Sequence, residues 1–217
     1  MKQPVIFIVG AGCGIGLGIS MAFGKKGYKP ILVTRNSDIL EVMKENLASQ
    51  NIDSDGVAAY CGDQDELKAA LHTLEQRFGA PDVLVYNASS HTPGLPSELH
   101  SQDLINDFNV NVTGALITVQ EMLPGMKQRG SGTILLTGGG QAVQPSAGIA
   151  SLGIGKAGLR SLALSLHEEV KSYGLYAGTL TVSGFVQPNT PFHPELIGEA
   201  FYKMHQHKKE AEVVVTP

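Results

Sequence analysis

Six short runs rich in Val, Ile and Leu recur along the chain, at Val5 to Val9, Ile31 to Val33, Val57 to Tyr60, Val83 to Tyr86, Ile134 to Thr137 and Leu180 to Val182. They have the length of buried strands, and the stretches between them are far too long for hairpin turns. Those stretches carry helical spacing instead: Ile39, Val42, Met43 and Leu47 make one apolar stripe, and Leu67, Ala70, Leu71 and Leu74 another. Strands joined through helices run parallel with right-handed crossovers, so the pattern predicts an α/β, doubly wound parallel sheet in three αβα layers. A single domain over residues 1–217 fits the length. The spacing further predicts a helix from about Gln102 to Met126 and a short amphipathic helix through Leu196, Ile197, Ala200, Phe201 and Met204. Glu212 to Val215 reads as a closing edge strand, and the prolines and glycine of residues 90–100, SHTPGLPSELH, mark a loop.

Composition then removes several function classes. No run reaches the roughly 18 uninterrupted apolar residues of a membrane span, so no membrane partner is expected. A net charge of -4, with basic clusters as short as Lys25-Lys26 and Lys208-Lys209, argues against nucleic acid as a partner. Cys13 and Cys61 are the only cysteines and lack metal-ligand spacing, which points to two free thiols, no metal site and a reducing compartment. The apolar run at Val5 is too short and too quickly followed by glycines for a secretory leader, so a cytoplasmic location is expected.

The first run leads directly into GAGCGIG, residues 10–16, and the chain turns into a helix near Ile15. Glycines at a strand-to-helix turn allow torsions closed to other residues and let main-chain N–H groups approach a diphosphate at the helix N-terminus. A dinucleotide in a Rossmann fold is the natural ligand, with Gly10, Cys13, Gly14, Ile15 and Gly16 as its cradle. About 20 residues on, where an NAD site usually carries an acid for the ribose 2′-hydroxyl, the chain has Thr34, Arg35 and Asn36. A guanidinium there suits a 2′-phosphate, so NADP is favoured over NAD.

The order of further motifs resembles the short-chain dehydrogenase/reductase family over nearly the whole chain. VGAGCGIG is similar to its TGxxxGIG turn, and YNAS at 86–89 to its NNAG turn. NVNVTG at 109–114 resembles its NVNxxG segment, KAGL at 156–159 its KAGL helix, and SGFV at 183–186 its PGxI turn. The resemblance implies that Asp63 contacts the adenine, that Asn87, Ala88, Gly184 and Val186 line the cofactor, and that Asn111 and Lys156 are catalytic. In that family a tyrosine and lysine in YxxxK work with a serine at the end of the fifth strand and the helix asparagine. The same register puts Leu152 at the tyrosine and Gly139 at the serine. Neither offers a donor or an acceptor from its side chain. Losing a positioned acid removes about 10² to 10⁴ in rate, and losing an oxygen-stabilising donor roughly 10² to 10³. Lys156 would keep only its hold on the nicotinamide ribose.

Two readings follow: an NADP-dependent oxidoreductase that reduces a carbonyl by another route, or a catalytically silent dinucleotide-binding regulator or scaffold. His91 is the first alternative proton donor, ahead of Tyr86, Gln144 and His193, while Ser151 should point away from the Leu152 direction. The helix around Lys156, over Ala147 to Tyr173, contains Gly148, Gly153, Gly155 and Gly158, each costing about 0.5–1 kcal/mol relative to alanine in a helix. Close packing must compensate, and the resemblance implies a homodimer through this helix. The short loop VQPNTPFHP after the sixth strand implies an open substrate pocket.

Overall fold

Strand β1 (Val5–Val9) buries all five of its side chains, and their alternation builds two cores. Val5, Phe7 and Val9 face Leu67, Leu71 and Leu74 of α3 (Gln64–Phe78), Met122 and Met126 of α5 (Gly114–Arg129), and Leu159 of α6 (Ala150–Val170). Ile6 and Ile8 face Ile19 and Phe23 of α1 (Ile15–Gly24), Met43 and Leu47 of α2 (Ser37–Ser49), and Phe201 and Met204 of α7 (Pro194–His207). A strand buried on both faces has to be a near-continuous apolar run, which is why β1 and β4 (Val83–Tyr86) stand out in the sequence. The remaining strands are β2 (Lys29–Thr34), β3 (Asp55–Ala58), β5 (Thr133–Gly139), β6 (Tyr176–Val182) and β7 (Glu212–Val215). The computed structural model describes residues 2–217. In it the seven strands form one sheet in the order β3-β2-β1-β4-β5-β6-β7, with every pair parallel. This is the doubly wound αβα architecture that the alternation predicts, and the order reverses beside β1, where such sheets open a crevice.

Three elements differ from the expectation. Strand β3 pairs through Ile31–Asp55 to Thr34–Ala58, two residues earlier than Val57 to Tyr60, because Asp55 and Gly56 pair on a sheet edge although neither favours strands. The helix expected from Gln102 to Met126 is α4 (Ser101–Phe108) and α5 joined by a π-turn at Asn109–Thr113. The Tyr86 hydroxyl donates to the Val110 carbonyl at that turn. The helix around Lys156 starts at Ala150, so Gly148 lies outside it, and ends in a 3₁₀ turn at Lys171–Tyr173.

Helix α7 packs on α1 with its backbone almost touching: a Cβ on Gly198 would lie 2.2 Å from the Gly18 carbonyl oxygen. His205 of α7 reaches Tyr28 Oη and Thr133 Oγ1, both at 2.9 Å. Burial, aided by Lys208 and opposed by Asp82, pushes its imidazole down to about 4. The unfolded chain therefore takes up a proton near pH 6.5 that the folded chain refuses until about pH 4, so this group's stabilisation is complete above pH 6.5 and is lost as pH falls through that window. Discounted for partial exposure, the expected loss is about 1–2 kcal/mol. Urea unfolding at pH 6.5 and pH 4 checks it: His205→Gln should lose less stability than the wild type over this range.

Candidate active site

The glycine turn is built by contact between two loops. Gly10 has φ +81, and a Cβ there would lie 2.2 Å from Ala88 N, so the chain leaving β1 presses on the chain leaving β4. The N–H groups of Gly10 and Ala11 both donate to the Val33 carbonyl, at 2.9 and 2.8 Å, which fixes the turn to β2. Leu17 N–H reaches back to the Gly12 carbonyl at 2.8 Å, and amides ahead of it belong to the unpaired first turn of α1. Around Gly12 and Gly14 a Cβ would meet nothing within 4 Å. The open space they face is a cavity of about 1080 Å³. It runs past the carboxyl ends of β1, β4, β5 and β6, from Gly12, Gly14, Ile15 and Gly16, by Asn87, Thr137 and Lys156, to Leu152, Val143, Gln144 and the Gly184–Val186 turn.

A hydrogen-bond chain crosses the floor of this cavity. Asn87 Nδ2 donates to the Gly10 carbonyl at 2.9 Å, Thr137 Oγ1 donates to Asn87 Oδ1 at 2.9 Å, and Lys156 Nζ donates to the Thr137 carbonyl at 2.8 Å. The glycine turn and the lysine are thus held at a fixed separation through three strand ends. Lys156 is 7% exposed and has no carboxylate partner among the described residues. Burial pushes its ammonium down to about 8. Gly139 and Leu152 stand on the same cavity wall as Lys156.

Of the residues singled out in the sequence, Gly14, Ile15, Gly16, Asn87, Lys156, Gly184 and Val186 meet on the cavity wall. The others do not line it. Gly10 and Ala88 lie beneath, against each other, and Thr34 is buried in β2. Cys13, Arg35 and Asp63 are exposed, and Asp63 caps α3 by accepting from the N–H groups of Asp65 and Glu66 at 3.0 Å. Asn111 is fully buried, and both ends of its amide are taken by Ser90: Oδ1 accepts from Ser90 N at 2.9 Å and Nδ2 donates to Ser90 O at 2.7 Å. It clamps the loop after β4, where Ser90 Oγ and Thr92 N also donate to Asp107, both at 2.6 Å. The alternative donors are elsewhere too. Tyr86 is buried and bonded to Val110, His91 is exposed outside the wall, and His193 caps α7 through Nδ1. Ser151 points away from the cavity to Thr92, as its helix position requires. Only Gln144 lines the cavity.

Sequence reading missed Gly12, Arg160, Thr181 and Glu212, all on the wall. Arg160 was within reach, since it follows Lys156 by one helical turn on the same face. Glu212 was not, because nothing local places β7 beside β6. The glycines of α6 also have an explanation within the chain. A Cβ on Gly155 would meet Asn111 Nδ2 at 2.5 Å, and one on Gly158 would meet Val112 Cγ2 at 2.9 Å, so these two admit the π-turn, while a Cβ on Gly153 would lie against Pro145 at 3.2 Å; all three contacts are within the chain.

Residues 4–191 match the family described as short chain dehydrogenase, and the chain belongs to it. Among curated relatives, the 3-oxoacyl-(acyl-carrier-protein) reductase FabG of Staphylococcus aureus is 27% identical over 180 residues, covering 82% of this chain and 73% of that protein. A very-long-chain 3-oxoacyl-CoA reductase of Aspergillus fumigatus is 29% identical over 176 residues, 77% of this chain and 50% of that one. The match spans between 50% and 73% of such relatives' own length. Solved structures share the fold at lower identity. A metagenomic short-chain oxidoreductase in complex with NADP superposes with a TM-score of 0.89 at 21% identity, over 100% of this chain and 98% of that one. A variant of actinorhodin polyketide ketoreductase with NADPH gives 0.91 at 21% identity, over 98% and 95%.

Proposed function

We propose that the chain is an oxidoreductase that binds NADP(H), its diphosphate on the turn after β1 and its nicotinamide ribose at Lys156, and reduces a carbonyl compound without the serine and tyrosine of its family. The observation that carries this reading is the hydrogen-bond chain from Gly10 through Asn87 and Thr137 to Lys156, which ties a phosphate cradle to a buried cation along one cavity. Gly12 and Gly14 leave the room that a diphosphate needs. When bound, the dinucleotide would supply the hydride; the chain's residues hold it and manage the proton. Gly139 and Leu152, flanking Lys156 on the wall, support their assignment as the replaced serine and tyrosine positions.

Arg35 supports NADP as the preferred form. It is exposed at the end of β2 with no hydrogen bond or ion pair to another described residue. A charge-assisted contact of about 1.5–3 kcal/mol to a 2′-phosphate would give roughly tenfold or greater selectivity. Arg35→Ala should weaken NADPH by at least about tenfold and leave NADH unchanged, read by the fluorescence of the reduced nicotinamide. Equal losses for both would detach Arg35 from the 2′-phosphate.

Leu152 and Gly139 also favour the second reading, a catalytically silent dinucleotide-binding regulator or scaffold. NADPH fluorescence gives binding, and absorbance at the reduced-nicotinamide band with aldehydes, ketones and quinones gives turnover. Tight binding with no oxidation across that panel would favour the silent protein. A homodimer in the cytoplasm completes the proposal: Ile105 and Phe108 of α4, Leu116 of α5 and Ile154 of α6 are exposed apolar side chains on the helices concerned. Light scattering at micromolar concentration should give twice the chain mass, and a monomer would remove this part.

A further inference from the structure

Three side chains on the cavity wall can carry a charge: Lys156, Arg160 and Glu212. Two of them are committed to each other. Arg160 Nε donates to both Glu212 carboxylate oxygens at 2.9 Å, and Nη2 donates to Oε2 at 2.6 Å. Thr181 Oγ1 adds a bond to Oε1 at 2.7 Å. The hydrogen bonds between the two groups raise the guanidinium further and hold the carboxyl below its usual range, so neither exchanges a proton near neutrality. Tyr86, His91, His193 and Ser151 are directed elsewhere, as described above. The other polar side chains of the wall, among them Ser89, Gln144 and Ser183, are neutral amides and aliphatic hydroxyls, far too weakly acidic to act as a general acid near neutrality, which leaves Lys156.

Its surroundings suit the task. Leu152 and Arg160 stand one helical turn before and one after it on the same face of α6. Leu152 fills that wall with a short apolar side chain and leaves no hydroxyl between Lys156 and the cavity. One ammonium N–H is taken by the Thr137 carbonyl; an ammonium has three. The strands packed against α6 here offer the cavity threonines and glycines from β5 and β6, and Glu212 from β7 is paired, so burial alone sets the lysine's titration.

We propose that Lys156 is itself the catalytic proton donor of this protein, giving an ammonium proton directly to the carbonyl oxygen of an aldehyde, ketone or quinone seated against Leu152 and Gly139. The proposal rests on the dinucleotide reading above. A bound reduced dinucleotide would supply the two electrons as hydride to the carbonyl carbon, becoming oxidised as the C=O π bond breaks. The oxygen would take its proton from Nζ to give an alcohol, and the neutral amine would regain a proton from water. A donor titrating near 8 can both release and recover a proton at neutral pH.

The test uses the wild type, Lys156→Arg and Lys156→Met. Side-chain lysine NMR of the dinucleotide-free protein, with Lys156 assigned from its absence in the arginine variant, should show an inflection near pH 8. An inflection with the surface lysines, near their ordinary value of about 10.4, would overturn the proposal. NADPH oxidation is then followed from pH 6 to 10 with benzaldehyde and acetophenone, an aldehyde and a ketone that do not condense with arginine. Wild-type turnover should fall about tenfold per pH unit above the inflection. Lys156→Arg, which keeps the charge but holds it above the range in which it could give up a proton, should turn over at least about 100-fold more slowly at NADPH concentrations that saturate it by fluorescence, and Lys156→Met should be no faster. An arginine variant as fast as the wild type, or a rate flat from pH 8 to 10, would contradict the assignment. Wild-type binding without turnover would sink the donor and leave the dinucleotide reading standing; no NADPH binding would sink both.

Discussion

Gly139→Ser combined with Leu152→Tyr is expected to raise carbonyl reduction by at least about 100-fold over the wild type, with each single change giving less. A positioned general acid is worth about 10² to 10⁴ and an oxygen-stabilising hydroxyl roughly 10² to 10³, and the two are not additive when they act on one oxygen. The scaffold admits both side chains. A Cβ on Gly139 would sit 3.5 Å from Lys156 Cε and Cγ, an ordinary contact, so a serine there needs no rearrangement. Leu152 is partly exposed on the cavity wall, one turn from Lys156, so a phenol at that position extends into free space beside the ammonium. The check is NADPH oxidation with the same carbonyl panel, alongside NADPH fluorescence for all four proteins. Unchanged binding with no gain in rate would mean that the cavity does not hold a carbonyl against these positions.

Gly12→Val is expected to weaken dinucleotide binding by more than about 100-fold while leaving the fold intact. The reason is spatial. A Cβ on Gly12 meets no protein atom within 4 Å, so the isopropyl group disturbs no packing, yet it fills the space in front of the first amides of α1. A diphosphate bonded to those amides must come within about 3 Å of them, which a branched side chain prevents. Gly10→Val would not separate the two effects, because its Cβ strikes Ala88 and its φ is positive, so folding would suffer first. Calorimetric binding of NADPH and thermal unfolding, measured together, decide the matter: lost binding at an unchanged Tm is expected, and wild-type affinity would place the phosphates elsewhere.

What the sequence revealed followed from how local each signal is. Strands β1 and β4 are apolar on both faces and were legible as runs, and the glycine turn was legible because its position between a strand and a helix gives it meaning. Asp55 and Gly56 concealed the start of β3, since an edge strand needs less apolar surface. NVNVT at 109–113 keeps a helix-like pattern, so the π-turn could not be read from it; it requires the tyrosine hydroxyl of β4 and the amide clamp on Ser90. Lys156 was placed by its register, but its titration depends on burial by β5 and β6, which is a tertiary property. The same holds for Asn111: its register implies chemistry, while only the fold shows that both ends of its amide are bonded to Ser90 in the loop after β4. Glu212 reads as part of a strand, and only the pairing of β7 with β6 brings its carboxylate to Arg160.

Isothermal calorimetry with NADPH, NADP and NADH, taken to millimolar concentration, tests the central claim most directly. The cavity from Gly12 to Lys156 predicts saturable heat at one site per chain, with NADPH ahead of NADH and the signal abolished by Gly12→Val. No heat from either the oxidised or the reduced nucleotide would contradict the dinucleotide site and every functional assignment built on it.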